Sequence, residues 1–542
     1  MITVEKLKIQ NYKCFRNFEI EFNDSISIIV GNNEEGKSTI LEALQLALSG
    51  MLNGRTLFTE VNEGLFNKDV VDEYIQSLQT IEKKPHPAIL IEVYLKGDDL
   101  AKFDGDGNSY RTKKCGLAFK VSFNDQYNEE YNALVQNGDV KSLPVEYYKI
   151  ERYTFARELV TNRSIPLKSV LIDSSSARFQ NGSDVYISKI IKDNLDEKEI
   201  VALAQSFRKL KEDFGEVSAI EAINQKVSEN AGMSTKKVSV SVDMSVKNSW
   251  ETVLMTYIDD VPFHQVGKGE QCIIKTNLAL AHKKAQTSNL ILIEEPENHL
   301  SHTKLNELLE TITTKCKGKQ LIITTHSNYV ANKLSLNNLI LLSNQRITRF
   351  DDLSNSDAEY FQKLPGYDTL RLILAKRAVL VEGPSDELIV QRAYKDKYNS
   401  LPIQQGIDVI TVRGLSFKRF LEIAKRLDKK VAVVTDNDGN YDQRIKEKYK
   451  DFETVACIKI CASADNSLKT LEPQFVHANI TKLRDLRTVL GLTETGYPEE
   501  KNVADYMEAN KTDWALSVFE TDKRFEFPQY IESAICWVHD GE

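Results

Sequence analysis

The chain has 542 residues, of which 41% are hydrophobic and 27% are charged, as expected for a globular protein of about two to four domains. Its formal net charge of −9 argues against general nucleic-acid binding but leaves room for a local basic groove. No apolar run approaches the roughly 20 residues that cross a bilayer, and the first residues lack a signal-peptide pattern. We therefore predict a cytoplasmic protein with no membrane partner.

The first motif with clear chemistry is GNNEEGKST at residues 31–39, which follows a predicted strand at 25–30 and opens a predicted helix at 39–48. It fits the pattern G-x-x-x-x-G-K-[ST] in the strand–loop–helix context of nucleotide binding. The simpler alternative, a glycine turn with a chance lysine, does not explain the flanking strand and helix. The sequence therefore predicts an ATP site.

The residue types of this loop match phosphate chemistry. Glycine lets the backbone turn so that successive N–H groups point at phosphate oxygens. A lysine ammonium balances the β- and γ-phosphates, a serine hydroxyl is a ligand for Mg²⁺, and the helix N-terminus adds a favourable dipole. The predicted nucleotide-binding residues are Gly31, Asn32, Asn33, Gly36, Lys37, Ser38 and Thr39, with Ser38 also a Mg²⁺ ligand.

A long segment follows in which no heptad pattern continues over three or four repeats. It predicts ordinary helices instead, for instance at residues 197–213 and 217–229. Further along, the sequence VGKGEQ at residues 266–271 opens an apolar helix that extends through Ala281.

Two apolar strands beyond this helix end in residues suited to the same nucleotide. Residues 290–293 precede Glu294, expected to hold the Mg²⁺ water shell, and Glu295, expected to orient or deprotonate the attacking water. Residues 321–325 precede His326, which we expect to sense the γ-phosphate. The alternatives are a pair of surface glutamates and a structural histidine.

The last third of the chain alternates strands and helices, which predicts a parallel sheet with functional residues at its C-terminal edge. A strand at residues 378–381 precedes Glu382, and a strand at 431–435 precedes Asp436 and Asp438. We expect the two aspartates to lie on an extended stretch and to point to the same side. Such carboxylates suit Mg²⁺ or Mn²⁺ rather than zinc, although an acidic strand end is often only a solvated turn.

The cysteines are odd in number and scattered, and no two of them form a C-x-x-C pair. A zinc knuckle or a disulfide framework needs paired spacings, so the pattern argues against both. We expect buried free thiols at Cys14, Cys115, Cys272, Cys316, Cys457, Cys461 and Cys536.

The ordered sequences GNNEEGKST, VGKGEQ, LILIEEPENHLS and ITTHS resemble the Walker A, signature, Walker B with D-loop, and switch-histidine motifs of ABC-type ATPases of the SMC and OLD (overcoming lysogenization defect) group. In that group the signature of one subunit contacts the γ-phosphate held by another. The resemblance therefore implies a dimer with ATP between its heads, and a role for Gly269 in nucleotide binding. Gly267 departs from the pattern, because the family signature often has serine there.

The segments VEGPSD and TDNDG resemble the two hallmark motifs of the Toprim fold, and an ABC head directly before a Toprim domain resembles OLD nucleases over nearly the whole chain. The resemblance implies two Mg²⁺ or Mn²⁺ ions, with Lys511 offsetting charge on the phosphate under attack. For Glu472 and Lys511 the alternatives are a structural glutamate and a lysine at a helix start. The implied metal ligands are Glu382, Asp386, Asp436, Asp438 and Glu472.

We therefore predict an α/β protein: an ABC-type P-loop ATPase head with a helical dimerisation insertion, followed by a Rossmann-like Toprim domain. The expected segments are 1–165 and 236–348 for the ATPase, 166–235 for the insertion, 349–376 for a linker and 377–542 for the Toprim domain. The head and the insertion are expected to form a homodimer or a higher even oligomer. A packed insertion without a partner is the alternative.

The predicted function is an ATP-binding, metal-dependent DNA endonuclease gated by nucleotide, and the family resemblance implies antiviral defence. Relatives act alone, with a helicase as in Gabija systems, or with a retron reverse transcriptase and its msDNA; the sequence does not choose among them. The alternative function is a non-cleaving, ATP-driven DNA clamp or an SMC-type repair ATPase.

Overall fold

The computed structural model of the protein describes residues 1–52, 55–57, 60–138, 140–161, 164–173, 179–180, 183–184, 195–230, 240–242, 250, 255–281, 283–343, 345–349, 368–412 and 417–540. The chain divides into two compact units, a first unit of Met1–Ile29 with Glu34–Thr325 and a second unit of Val30–Asn33 with His326–Glu542. Within the described ranges, no helix has the length and hydropathy needed to cross a bilayer.

The strands are β1 (Thr3–Tyr12), β2 (Phe15–Glu21), β3 (Ile26–Val30), β4 (Met51–Leu52), β5 (Arg55–Thr56), β6 (Ile89–Lys96), β7 (Asp104–Gly105), β8 (Lys114–Phe123), β9 (Tyr148–Thr154), β10 (Ser169–Asp173), β11 (Phe179–Gln180), β12 (Ser183–Asp184), β13 (Tyr257–Ile258), β14 (Val261–Pro262), β15 (Leu290–Glu294), β16 (Gln320–Thr325), β17 (Leu339–Ser343), β18 (Arg346–Arg349), β19 (Arg377–Val381), β20 (Ile407–Thr411), β21 (Val431–Val434) and β22 (Ile458–Cys461). The helices are α1 (Lys37–Ser49), α2 (Lys68–Ser77), α3 (Asn128–Gln136), α4 (Glu197–Gly215), α5 (Ser218–Asn230), α6 (Lys268–Ala281), α7 (Lys283–Thr287), α8 (His302–Lys315), α9 (Asn328–Lys333), α10 (Thr369–Leu374), α11 (Pro384–Tyr398), α12 (Phe417–Arg426), α13 (Leu471–Ala478), α14 (Leu483–Leu490), α15 (Glu500–Ala509), α16 (Lys511–Glu520) and α17 (Gln529–His539). The motif-bearing strands and helices named in the sequence analysis are all present, with ends that differ by a few residues.

The first unit contains two kinds of sheet. An antiparallel sheet has the strand order β2-β1-β6-β8-β7, and β9 pairs with β8. A second sheet places β10, β15 and β16 side by side in parallel, with β3 next to β16. Every residue of β16 is buried, as are the first four of β15, which is the pattern of strands covered on both faces.

Gln320 at the start of β16 links the two sheets of the first unit. Its side chain is fully buried, and its Oε1 accepts a hydrogen bond of 2.8 Å from the Val4 amide of β1. Its Nε2 donates to the carbonyl oxygens of Val4 and Asn23, at 2.8 and 2.9 Å. A buried amide with all of these bonds made stabilises the position of β16, and therefore of the residues at its end.

Within the bounds expected for the insertion, residues 166–235, the structure describes the helices α4 and α5 but also β10, which belongs to the parallel sheet of the first unit through its pairing with β15. Asp196 caps α4 by accepting from the Glu199 amide at 2.9 Å, and the Glu199 carboxylate accepts from the Asp196 amide at 2.8 Å. No residue of α4 is buried within the chain. Its apolar residues therefore face outward, including Leu210 and Phe214, which are 62% and 55% exposed.

The second unit contains a four-stranded sheet in the order β20-β19-β21-β22, and all its neighbouring strands are parallel. This arrangement confirms the parallel sheet predicted from strand–helix alternation. Its core joins strand residues such as Val379 and Val381 to helix residues such as Phe475, Trp514 and Ile531. Because the strands are parallel, the loops that follow β19 and β21 lie at the same edge.

The expected linker and the cysteines each differ in part from the prediction. Residues 350–367 of the expected linker lie outside the described residues, and its last part forms α10, whose Leu370, Leu372 and Ile373 are buried. None of the seven cysteines forms a disulfide, but only Cys272, Cys316 and Cys461 are buried. The expectation of buried thiols is therefore wrong for the other four, which are half-buried.

Candidate functional site

The two glycines of the phosphate-binding loop occupy positions that exclude a side chain. Gly36 has a φ of 100°, and a Cβ there would lie 2.5 Å from Cζ of Phe15 and 2.7 Å from Sγ of Cys14. A Cβ on Gly31 would lie 2.6 Å from the carbonyl oxygen of Leu342. Both contacts are shorter than a carbon atom tolerates, so the loop requires glycine at both places. The intervening Asn32 and Asn33 are exposed.

Lys37 is buried at the first residue of α1, among carboxylates. Burial lowers the pKa of its ammonium group, and the negative charges of Glu295, Glu297, Glu35 and Glu294 oppose that shift. A lysine in this environment supplies a fixed positive charge directly after the loop, where a nucleotide phosphate is expected. The lysine and the glutamates after β15 therefore belong to one electrostatic group.

Glu294 is the last residue of β15, and it contacts a second predicted Mg²⁺ ligand. The Ser38 hydroxyl forms a hydrogen bond with its carboxylate, and this bond favours the ionised form. Burial nevertheless raises the pKa of Glu294, and the charges of Asp173 and Glu295 raise it further. Sequence reasoning did not identify Asp173, which pairs in register with Glu294 at the end of β10. Its only signal was an acidic residue at the end of a short apolar strand.

Glu295 follows β15 in a constrained turn. Its φ is 39°, its amide donates to the Thr324 carbonyl at 3.0 Å, and its Oε2 accepts from Nδ2 of Asn298 at 3.1 Å. These bonds fix the carboxylate that we expect to orient water. His326 is exposed directly after β16, and Thr39 lies within α1, where its Oγ1 is 3.9 Å from the Cys14 thiol.

The two glycines of VGKGEQ differ in their surroundings. A Cβ on Gly269 would lie 2.6 Å from the carbonyl oxygen of His299, so the first turn of α6 packs closely on the segment after β15. A Cβ on Gly267 would meet no atom within 4 Å in the part of the chain that the structure describes. The departure from the serine of the family pattern is therefore not imposed by packing within the chain.

The second candidate site lies at the C-terminal edge of the parallel sheet in the second unit. Glu382 follows β19, and its Oε1 accepts hydrogen bonds from the Thr435 hydroxyl and from the Asp436 amide, the latter at 3.3 Å. Thr435 and Asp436 follow β21, the neighbouring strand. The structure therefore brings together the ends of the two motifs that resemble Toprim.

Asp386 lies in the first turn of α11 and adds a third carboxylate. Its Oδ2 accepts a 3.0 Å hydrogen bond from the amide of Gly383, which fixes the side chain over the start of the helix. Burial raises the pKa of Asp386 to about 7, and the negative charges of Glu382 and Glu472 contribute to the shift. Glu472 is itself buried, in the first turn of α13.

Asp436 is at the centre of this carboxylate cluster, which consists of Glu382, Asp386, Asp436 and Glu472. Burial raises the pKa of Asp436 to about 9, and the surrounding carboxylates raise it further. Its Oδ1 atom is buried and has no hydrogen-bond partner among the described residues. A buried carboxylate without a partner is costly, and a bound divalent cation would remove that cost. The chemistry of this cluster therefore fits Mg²⁺ or Mn²⁺.

The expectation that Asp436 and Asp438 lie on an extended stretch is wrong. Asp438 has a φ of 48° and is exposed, with its Oδ2 3.6 Å from Nε of Arg444. The chain turns because Asn437 is fully buried and its Nδ2 donates to the Ser463 carbonyl at 2.9 Å. Asp438 still contributes negative charge next to Asp436, but from a turn rather than from a strand.

Two further observations bear on the predicted catalytic residues. Lys511 is exposed at the first residue of α16, and no contact with the carboxylate cluster occurs among the described residues. No group of three Asp, Glu, His or Cys side chains within the same ranges is already arranged to enclose a metal ion. Side-chain rotation would therefore have to accompany metal binding. The catalytic and ligand roles of these residues stay predictions.

Sequence reasoning missed two residues beside the cluster. Tyr530 of α17 is buried, its hydroxyl has no hydrogen-bond partner among the described residues, and burial and the nearby carboxylates raise its pKa well above its usual value. Lys448 is half-buried; burial lowers its pKa, whereas the charges of Glu382 and Asp438 raise it. Neither residue belongs to a motif, so only the fold reveals them.

Two families match successive parts of the chain. Residues 2–331 match the AAA ATPase domain, and residues 373–438 match the TOPRIM domain of overcoming-lysogenization-defect-like proteins. The first match covers more than half of the chain. The predicted order of an ATPase head followed by a Toprim domain is therefore confirmed.

Curated relatives are similar over shorter stretches. Structural maintenance of chromosomes protein 6 of Saccharomyces cerevisiae is 33% identical over 78 residues, 14% of this chain and 6% of that protein. The Rad50 ATPase of Methanopyrus kandleri is 47% identical over 45 residues, 8% and 5% of the two chains. RecF of Clostridium kluyveri is 23% identical over 172 residues, which are 31% of this chain and 45% of that protein. The chain thus spans less than half the length of each of these relatives.

The solved structures that align with the chain include a RecF protein and a region of an OLD protein, both with low scores. RecF bound to ATPrS is 11% identical with a TM-score of 0.33, over 64% of this chain and 98% of that one. The C-terminal region of the Burkholderia pseudomallei OLD protein is 17% identical with a TM-score of 0.25, over 31% of this chain and 98% of that one. Because both scores are low, the assignment of the domains rests on the family matches.

Proposed function

Because the chain belongs to the AAA ATPase domain family and also matches, at residues 373–438, the TOPRIM domain of overcoming-lysogenization-defect-like proteins, we propose that it is an ATP-binding, divalent-metal-dependent DNA endonuclease of the OLD type. The observation that carries the proposal is the carboxylate cluster at the C-terminal edge of the parallel sheet. One of its members, Asp436, is half-buried and has a buried carboxylate oxygen without a hydrogen-bond partner among the described residues. Such an arrangement is costly for stability alone and useful for binding a cation.

The ligands we propose are Glu382, Asp386, Asp436, Asp438 and Glu472. Divalent ions held there would lower the pKa of a bound water and offset charge on the scissile phosphate. The protein orients the ligands: the Thr435 hydroxyl fixes Glu382, and the Gly383 amide fixes Asp386. The general acid for the leaving oxygen is assigned to no residue, and Lys511 stays a predicted contributor to phosphate binding.

For the ATPase domain we propose that the loop amides and Lys37 bind the nucleotide phosphates. Ser38 and Glu294, already hydrogen-bonded to each other, would hold Mg²⁺. Glu295 would orient the attacking water, a role supported by the two hydrogen bonds that fix its position. Nucleotide binding would then control access of DNA to the Toprim edge.

The insertion supports a homodimer or a higher even oligomer. Leu203, Leu210 and Phe214 of α4 follow a helical spacing that places them on one side, and they are 38%, 62% and 55% exposed. An apolar helix face exposed to this degree is stabilised when a second helix covers it. We propose that this partner is a second copy of the chain.

The biological role we propose is cytoplasmic defence against phage DNA. It rests on membership of the family rather than on a feature of the sites. A helicase, or a retron reverse transcriptase with its msDNA, is the kind of partner that this role would add.

A non-cleaving DNA clamp is the second candidate, and one observation favours it. Glu382 and Asp386 already accept hydrogen bonds from their own surroundings, and no ready metal-binding group is present among the described residues. In a clamp, these bonds would be the whole function of the carboxylates. The similarity to SMC, Rad50 and RecF proteins fits either candidate.

The deciding experiment incubates supercoiled plasmid with the full chain and Mg²⁺ or Mn²⁺, with and without ATP. We expect nicking by the wild-type protein, its loss in Asp436→Asn, and its retention in Asp442→Asn, an exposed aspartate paired with Lys446. The loss should exceed about 100-fold, because even outer-shell partners of metal ligands contribute about 10–100-fold. Metal-dependent DNA binding without nicking under every nucleotide condition would favour the clamp.

A further inference from the structure

A helical segment begins directly after the turn that contains Asp438. Its central part, Asp442–Glu447, is a π-helix. Such segments are rare and frequently occur at functional sites, because the extra residue per turn changes which side chains face a neighbouring group. Here the segment connects the carboxylate edge of the sheet to the buried Tyr449.

Two cations of this segment face the carboxylate edge. Arg444 lies 3.6 Å from the Asp438 carboxylate, and Lys448, four residues later, interacts electrostatically with Glu382 and Asp438. Lys446, between them, instead pairs with Asp442 at 2.8 Å and is exposed. The segment therefore presents one set of cations to the site and another to solvent.

Lys448 is close to the carboxylates but does not pair with them. It is half-buried, and it makes no ion pair with any described residue. Its positive neighbours are Arg444 and Lys418, the second residue of α12. A lysine that only neutralised the cluster would be expected in direct contact with a carboxylate. Lys448 therefore lies near two other cations as well as near carboxylates, and a group of three cations attracts an additional anion.

We propose that Lys418, Arg444 and Lys448 form a cationic rim that binds DNA backbone phosphates, with Lys448 on the phosphate next to the carboxylate cluster. This inference rests on the proposed function, because it assigns a DNA-binding role to the edge proposed for cleavage. The physical reason is that negatively charged carboxylates and a negatively charged phosphodiester must lie side by side during cleavage. The carboxylates need cations from solution, and an incoming phosphodiester, which they would repel, needs fixed cations beside them.

The test measures the affinity of the full chain for a fluorescent duplex in Ca²⁺ at several salt concentrations. Each lost phosphate contact should reduce the slope of log affinity against log salt by about 0.9. We expect this reduction for Lys448→Gln and Arg444→Gln, its absence for the matched control Lys446→Gln, and recovery in Lys448→Arg. Circular dichroism of each variant verifies that it is folded.

Other outcomes separate the possibilities. A wild-type slope in Lys448→Gln would overturn the rim. So would tighter Mn²⁺ binding by that variant with unchanged DNA affinity, because the lysine would then serve only to neutralise the carboxylates. If the wild type shows the Lys448-dependent slope but never nicks plasmid, the nuclease proposal fails and the rim stands. If it nicks plasmid and Lys448→Gln does so equally, the rim alone fails.

Discussion

The two acidic sites of the chain differ in how their charge is balanced. In the nucleotide site, the buried Lys37 interacts electrostatically with the half-buried Glu294, Glu295 and Glu297, so positive and negative charge lie together within the protein. In the carboxylate cluster, no lysine or arginine among the described residues forms an ion pair with a member. Lys448, a cation that interacts electrostatically with Glu382, is only half-buried.

The pKa values follow from this difference. The pKa of Asp436 rises to about 9, because burial and the negative charges of four neighbouring carboxylates all act on it in the same direction. The first site can exist in a stable form before nucleotide binds, whereas the second requires either protons or metal ions. Acidic residues at strand ends therefore do not define a catalytic site by themselves. The role of each acidic site depends on whether its balancing positive charge comes from a lysine of the chain or from a cation in solution.

The largest expected effect concerns stability against pH without metal. A carboxyl group whose pKa is about 9 in the folded chain and 3.8 as its ordinary value takes up a proton on folding between these pH values, so stability falls as the pH rises through this range. The contribution reaches at most about 1.4 kcal/mol per pH unit. We expect the melting temperature in EDTA to fall from pH 7 to pH 8.5 in the wild type and much less in Asp436→Asn.

The control for this measurement is Asp442→Asn, which removes an exposed carboxylate and should keep the wild-type pH dependence. Equal falls in Asp436→Asn and wild type would contradict the assignment of the buried charge to Asp436. Saturating Mg²⁺ should reduce the fall in the wild type, because the cation replaces the proton.

A smaller effect is expected from the Tyr530 hydroxyl. Its oxygen is buried beside the carboxylates, so we expect it to donate to an ionised Asp436 and hold that side chain for metal binding. Tyr530→Phe keeps the ring and should weaken Mn²⁺ binding by about 10-fold. Tyr394→Phe is the matched control, since its hydroxyl bonds to Nδ1 of His539 at 2.7 Å. Equal Mn²⁺ affinities in the two variants would exclude this role.

The smallest structural effect is expected at Gly267. Because a Cβ there meets no atom of the described residues within 4 Å, Gly267→Ser should change the unfolding free energy by less than about 0.5 kcal/mol. If heads associate as the family resemblance implies, the added hydroxyl would provide a donor to the γ-phosphate of the partner head. We expect faster ATP hydrolysis in Gly267→Ser, with Lys37→Met as the inactive reference. An unchanged or lower rate would show that the serine position makes no such contact.

Much of both sites could be predicted because parallel strands place their C-terminal ends together. That rule was sufficient to associate Glu382 with Asp436, and the spacing of the nucleotide loop was sufficient for Gly31, Gly36 and Lys37. The expectation of an extended stretch failed at Asp438. The backbone conformation of that residue depends on the burial of Asn437 and on the hydrogen bonds of Asn437 to a distant loop.

The remaining residues depend on contacts between distant segments. Tyr530 and Lys448 come from helices whose sequences show only ordinary amphipathic patterns, and their proximity to the cluster follows from packing. Asp173 shows the same limit in the ATPase domain, since its partner Glu294 is identified only by strand register.

The most direct test of the account is calorimetric titration of Mn²⁺ into the nucleotide-free protein, comparing wild type, Asp436→Asn and Glu294→Gln. We expect the carboxylate cluster to take its balancing charge from solution, whereas the nucleotide site takes it from Lys37. Mn²⁺ should therefore bind to wild type and to Glu294→Gln, and binding should be lost in Asp436→Asn. Binding that survives in Asp436→Asn, or that disappears in Glu294→Gln, would contradict the proposed metal site.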